Sequence, residues 1–169
     1  MFNTLESIPL FKDLDDDILR MLAPLFEGYN CPSSAIIFEQ GDPAEHIYLI
    51  LEGTVEVRYK PYDGPPIVIT TLTTGSIFGW SAVVGNATYT SGAVCKTCCT
   101  AIRMRSRDLH DFCAREPEAG YAVLELLAEA VSSRWANAKD QIHSLLNTSV
   151  SRGTISAQGK ESGIDERSR

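Results

Sequence analysis

The 169-residue chain predicts a mainly β fold with flanking helices: a double-stranded β-helix, or jelly-roll barrel, followed by a long C-terminal dimerisation helix. Three observations carry this. From Tyr29 to Met104 apolar residues recur with a period of two, as half-buried strands require. Gly41-Asp42, Glu52-Gly53, Asp63-Gly64 and Thr74-Gly75 punctuate that stretch at short intervals, as in a small β-sandwich or barrel. From Tyr121 onward the period changes to alternating steps of three and four.

Taken in order, Thr4 is the expected cap of a short first turn carrying Leu5 and Ile8. Asp15 is the expected N-cap of a second helix, with Asp16 and Asp17 favourable in its first turn. Ile18, Leu19, Leu22, Leu25 and Phe26 give that helix an apolar face, and Pro24 ends or kinks it. Helices within 4–27 thus precede a barrel at 29–104. Inside the barrel, 35–38, 47–51, 54–60, 67–72 and 94–104 read as strands. Thr54 to Lys60 alternates cleanly, with Val55, Val57 and Tyr59 on one face and Glu56, Arg58 and Lys60 on the other. Ser106 is the expected cap of a helix through Cys113, and Glu116-Pro117 opens the next, with proline in its first turn. Helices at 106–146 complete a domain of residues 1–146. The polar stretch 147–169 is expected to be a disordered tail.

The last helix carries a seam. Tyr121, Leu124, Ala128, Val131, Trp135, Ala138, Ile142 and Leu145 occupy a and d positions of a heptad. Over about 25 residues the seam spans roughly 37 Å at 1.5 Å per residue. Val123, Leu126 and Leu127 widen the stripe near its start, so that end is expected to pack on the barrel. One small barrel does not readily cover so long a seam, which favours a parallel homodimer through it. The alternative is a helix laid wholly on its own domain.

Composition narrows the function classes. Hydrophobic residues make up 44% and charged residues 22%, ordinary for a soluble globular domain. The net charge of −7 argues against a nucleic-acid surface, which needs a basic face. No basic leader followed by an apolar run and no spanning stretch is evident, so no membrane partner and a cytoplasmic location are expected. Five cysteines without framework spacing fit reduced thiols. Cys95, Cys98 and Cys99 could in principle bind a metal or sense redox state. No histidine adjoins them, and buried structural thiols are the reading preferred here. No enzyme is expected: there is no nucleophile–base motif and no framed carboxylate pair.

The stretch from Thr74 to Val94 is the most specific. Gly75-Ser76-Ile77-Phe78-Gly79 can turn sharply and approach a ligand closely. A short apolar helix starting near Gly79 would present free N–H groups to an anion. Tyr89-Thr90-Ser91-Gly92-Ala93-Val94 then enters another strand. With Phe38-Glu39-Gln40-Gly41-Asp42 and Ile47-Tyr48-Leu49-Ile50-Leu51-Glu52-Gly53, this resembles the cyclic-nucleotide-binding domain of the catabolite-activator-protein class of bacterial regulators and of cAMP-dependent kinase regulatory subunits. In that family the turn reads Phe-Gly-Glu and an Arg follows about ten residues later. The Glu holds the ribose 2′-hydroxyl and the Arg clamps the cyclic phosphate. Here Trp80 stands at the Glu position, and Tyr89 is the match to the Arg. Haem, bound by some relatives, would need an axial ligand, and His46, His110 and His143 are isolated.

The resemblance implies a candidate ligand pocket of Phe78, Gly79, Trp80, Ser81, Ala82, Tyr89, Thr90 and Ser91. Its chemistry is weak for a charged ligand. Tyr89 offers one hydroxyl where a cyclic phosphate wants a bidentate fork. Trp80 cannot accept from a ribose hydroxyl. No cofactor is called for, and a cyclic nucleotide is expected to bind only weakly. Two states fit: Trp80 and Tyr89 line a pocket for a flat apolar ligand, or they plug it. In the second case Trp80→Glu with Tyr89→Arg is expected to reopen the pocket. The resulting expectation is a non-enzymatic regulatory module that dimerises and signals through its last helix to an unknown protein partner, with no metal. The alternatives are a scaffold protein with a filled barrel, or a transcription-regulator fragment without its DNA-binding domain.

Overall fold

The computed structural model describes residues 1–132. The N-terminal layer is helical. Helix α1 (Phe2–Glu6) starts from Met1, whose carbonyl accepts from the Thr4 and Leu5 amides at 3.0 Å each. Thr4 therefore lies inside the helix rather than capping it, and its carbonyl accepts from Ser7 Oγ at 2.8 Å. Helix α2 (Asp16–Leu22) is capped by Asp15, whose carboxylate accepts from the Asp17 amide at 2.8 Å. Leu19 and Leu22 bury its inner face. Pro24 sits in a 3-10 turn, Ala23–Leu25, from which the chain emerges extended at Phe26.

Eight strands follow: β1 (Phe26–Cys31), β2 (Ile36–Phe38), β3 (His46–Glu52), β4 (Val55–Tyr59), β5 (Ile67–Leu72), β6 (Ile77–Phe78), β7 (Gly92–Cys95) and β8 (Cys99–Arg105). They form two four-stranded antiparallel sheets, ordered β1-β8-β3-β6 and β2-β7-β4-β5. The barrel begins three residues before the predicted Tyr29, because β1 pairs with β8 along its whole length, from Phe26 opposite Met104 to Cys31 opposite Cys99.

The stretch 94–104, expected as one strand, is two strands in different sheets. Lys96 to Cys98 form the corner between them. There the Lys96 amide donates to the Thr54 carbonyl at 2.8 Å and Thr97 Oγ1 accepts from the Thr54 amide at 2.9 Å. A single strand of that length would span roughly 36 Å, more than a small barrel can hold. The facing turn fits only because Gly53, at φ +98°, has no side chain to strike the Cys98 carbonyl.

Strand β3 explains why its sequence is apolar without alternating. Both its faces are covered. Ile47 and Leu49 face the helices, with Ile77, Ile102 and Met104 from the neighbouring strands. Tyr48 and Ile50 face the space between the sheets, with Phe38, Val55, Leu72, Phe78 and Tyr89. The helix-side core is close-packed: its cavity between Phe11, Leu22, Leu49, Met104, Val123 and Leu127 measures about 20 Å³. Strand β5 is different. It is an edge, and Ile67, Val68 and Ile69 are exposed along it.

Ser106 is the first residue of α3 (Ser106–Arg115) rather than its cap, and Arg105 takes the cap position without a side-chain bond. The Ser106 amide instead donates to the Glu45 carbonyl at 2.8 Å, which ties the helix start to the turn just before β3. Glu116 breaks the helix, and Pro117 opens α4, helical over residues 117–132. Gly120 packs directly on Cys113, where a Cβ would lie 2.7 Å from the Cys113 Cα. Ala119, Val123 and Leu127 bury one stripe of α4 in the helix-side core. Tyr121, at 69% exposure, and Leu124, at 37%, face solvent on another; Ala128 is exposed and Val131 half-buried. The remaining seam positions, Trp135, Ala138, Ile142 and Leu145, and the 147–169 tail lie outside the described residues. Among the described residues no helix is long and apolar enough to cross a membrane.

Candidate functional site

The predicted cassette is a strap laid across the open end of β3. Gly75 (φ +81°) makes the first bend, with its amide on the Ile50 carbonyl at 2.8 Å. Strand β6 then pairs Ile77 with Leu49 and Phe78 with Tyr48. Gly79 (φ +81°) turns the chain away from the sheet, and a Cβ there would sit 2.6 Å from the His46 carbonyl oxygen. The return path, 87–89, runs beside Gly41 to Ala44. The Tyr89 amide donates to the Asp42 carbonyl, and the Gly41 amide to the Tyr89 carbonyl, at 2.9 Å each. Asp42 also braces its own turn, accepting from the Glu39 amide at 2.8 Å. The Glu39-Gln40-Gly41-Asp42 motif is thus the cassette's backbone mount.

The helix expected after Gly79 is one 3-10 turn, Trp80–Ala82. The Ala82 amide is already spent on the Gly79 carbonyl at 3.1 Å. The run of N–H groups expected from Gly79 to Ala82 is thus shortened at its far end, since a 3-10 turn pairs each amide with the carbonyl three residues back.

Trp80 and Tyr89, paired in the sequence reading, belong to different cores. Trp80 is half-buried against the helix-side core and does not enter the barrel. Tyr89 is 4% exposed and points between the sheets. Its ring stacks on Phe38 with centroids 3.7 Å apart and planes 13° apart. Its hydroxyl donates to the His46 carbonyl at 2.7 Å and accepts from the His46 amide at 3.0 Å. Burial pushes the Tyr89 phenol up to about 12, so it stays neutral across the biological range. Phe78 continues the stack on Tyr48, centroids 4.8 Å and planes 10° apart. Phe38, Tyr48, Phe78 and Tyr89 together fill this end of the barrel with aromatic surface.

The residue turned toward Ser81 is Thr90, one position beyond the predicted match. Ser81 is a buried polar residue, 8% exposed. Its hydroxyl accepts from the Thr90 amide at 3.3 Å and lies 3.4 Å from Thr90 Oγ1. Ser91 is half-buried and Ala82 buried. The structure thus brings Ser81 and Thr90 together, and among the described residues no lysine or arginine is hydrogen-bonded to either. An uncharged hydroxyl pair can orient a polar group but cannot neutralise a phosphate.

Phe38, His46 and Tyr48 escaped sequence reasoning as site residues. The signal was there in part: His46, Tyr48 and Ile50 share one face of β3 by simple alternation. Which face looked inward was not readable, because both are apolar. The cysteines resolve differently. Cys95 and Cys99 are buried between the sheets with Cys31, and burial pushes the Cys95 and Cys99 thiols up. Cys98 is exposed at the corner. Among the described residues no group of three histidine, cysteine or acidic side chains is placed to hold a metal ion.

The family model described as "Cyclic nucleotide-binding domain" matches residues 30–116. The chain is 23% identical over 133 residues to the CRP-like cAMP-activated global transcriptional regulator of Mycobacterium tuberculosis, a match that covers 79% of this chain and 59% of that protein. The crystal structure of a cyclic nucleotide-binding domain from Methylobacillus flagellatus superposes with a TM-score of 0.72 at 23% identity, covering 83% of this chain and 79% of that one. A putative cyclic nucleotide-binding protein from Geobacter metallireducens superposes at 0.69 with 25% identity, covering 79% and 96%.

Proposed function

Because the chain belongs to the cyclic nucleotide-binding domain family, we propose that it is a non-enzymatic regulatory module of that family in which the protein's own Tyr89 occupies the barrel, and that it signals as a homodimer through α4 to a protein partner. The observation that carries this reading is the Tyr89 side chain: buried, stacked on Phe38 and bonded to both main-chain groups of His46. A charged nucleotide finds neither an arginine fork nor empty space at that place. Two charge-assisted hydrogen bonds are worth about 1.5–3 kcal/mol each, so their absence weakens binding roughly a thousandfold or more. In titration calorimetry cAMP and cGMP are expected to bind with Kd weaker than about 100 μM. Micromolar binding would refute the self-filled barrel.

The exposed stripe of α4 supports the second half of the proposal. Tyr121 and Leu124 are large apolar groups left open on a helix whose other stripe is already buried. Light scattering at micromolar concentration is expected to show a dimer, and Val131→Asp to give monomers. A monomer for the unaltered chain removes the dimer route. In such a module two arrangements of α4 differ in free energy, and an input at the barrel biases them only by binding one better than the other.

A further inference from the structure

His46 carries an arrangement that the cassette reading alone does not use. It starts β3, and β6 pairs only with Tyr48 and Leu49, so the His46 main chain has no strand partner on that side. Tyr89 Oη takes the partner's place at both its N–H and its C=O, and Gly79 lies against the same carbonyl. Both ends of the strap's turn, Gly79 and Tyr89, therefore meet at His46. That residue's side chain has an unpaired ring nitrogen. His46 Nε2 is buried and makes no hydrogen bond. Glu27 Oε1, across the sheet on β1, stands 3.8 Å away, too far to bond. The same oxygen accepts from Arg103 Nε at 2.7 Å, while the Arg103 guanidinium lies over the Tyr29 ring at 5.0 Å.

The groups facing the imidazole are Glu27 from β1, Arg103 and Arg105 from β8, Glu45 in the preceding turn and Tyr48 on its own strand, while Tyr89 bonds the His46 main chain. Two carboxylates and two guanidiniums nearly balance. We propose that protonation of His46 is an input to this cassette, in the role the nucleotide has elsewhere: a proton taken from solvent at Nε2 draws Glu27 away from Arg103 and lifts the end of β3 from under Tyr89 and Gly79. This rests on the reading that Tyr89 closes the barrel. No covalent bond forms or breaks beyond the N–H itself, and Glu27 Oε1 is the acceptor that the new N–H needs.

The direction follows from the site. Burial, and then the Arg103 charge, hold His46 below its ordinary value of 6.5. The closed strap thus binds the proton less tightly than an open one, and the closed form is fully favoured above that value. Its advantage declines as pH falls from 6.5 toward the lowered value.

Proton titration of the full chain by NMR tests this, following the His46 ring together with the Gly79 and Tyr89 amides. The ring is expected to titrate below 6.5, with both amides moving at the same midpoint. In His46→Gln the amide titration is expected to vanish. Glu27→Gln, which keeps the imidazole but removes its acceptor's charge, is expected to move the His46 midpoint further down. Amides that move with another midpoint, amides that still titrate in His46→Gln, or a His46 midpoint unmoved or raised in Glu27→Gln overturn the proposal. The titration uses no nucleotide, so its failure leaves the family module standing, and micromolar nucleotide binding would show separately that the barrel reading had failed.

Discussion

Tyr89→Arg lowers the unfolding free energy by about 3–5 kcal/mol, the range for removing a large core ring and for leaving a buried charge uncompensated. The position is 4% exposed. An arginine there loses the Phe38 stack, sends a charge between two apolar sheet faces, and leaves the His46 amide and carbonyl without their shared partner. Tyr89→Phe separates these effects. It keeps the ring and removes only the hydroxyl, so it costs about 1–3 kcal/mol for the unsatisfied main-chain groups. Urea unfolding of the three proteins gives both numbers. A Tyr89→Arg protein as stable as the parent would mean that the side chain lies outside the core. The result also changes an expectation drawn from sequence. Restoring the family's charges with Trp80→Glu and Tyr89→Arg is not expected to rearm the cassette, because Trp80 packs on the helix-side core and Tyr89 lies between the sheets. Thr90, facing Ser81, is the position from which an arginine could reach outward without emptying the barrel.

Gly79→Ala is the second large effect, and Gly75→Ala is its internal reference. Both glycines sit at φ +81°. An alanine at either pays the left-handed backbone cost of about 1–2 kcal/mol. At Gly75 nothing lies within 4 Å of the new Cβ, so the cost stops there. At Gly79 the Cβ would meet the His46 carbonyl oxygen at 2.6 Å and the Tyr48 ring at 3.2 Å. That carbonyl is held by Tyr89 and cannot retreat without breaking the strap. Gly79→Ala is therefore expected to destabilise by at least 1 kcal/mol or so more than Gly75→Ala, and to expose Tyr89 to solvent. Thermal unfolding of the pair decides it. Equal losses would show that the strap is not clamped against β3.

Much of this molecule is written locally. The Asp15 cap, the strand at 67–72, the glycine turns and the Glu116-Pro117 break each rest on backbone preferences of a few neighbouring residues, and the folded chain follows them. The family was legible for the same reason: glycines that a cassette needs stand where only glycine can turn. Three readings required the tertiary structure. Ser106 resembles a cap in isolation, yet its amide is claimed by Glu45 from another element. The 94–104 stretch is uniformly suited to strand, and only the contact of Thr54 with Lys96 and Thr97 decides where it bends. Trp80 and Tyr89 are both large aromatics beside a glycine turn, and nothing in their spacing says which core each enters. That choice belongs to groups far along the chain: the Phe38 ring, and the His46 main chain, left without a strand partner where β6 ends. A buried polar main chain must be satisfied by something, and in this fold the Tyr89 hydroxyl is what reaches it.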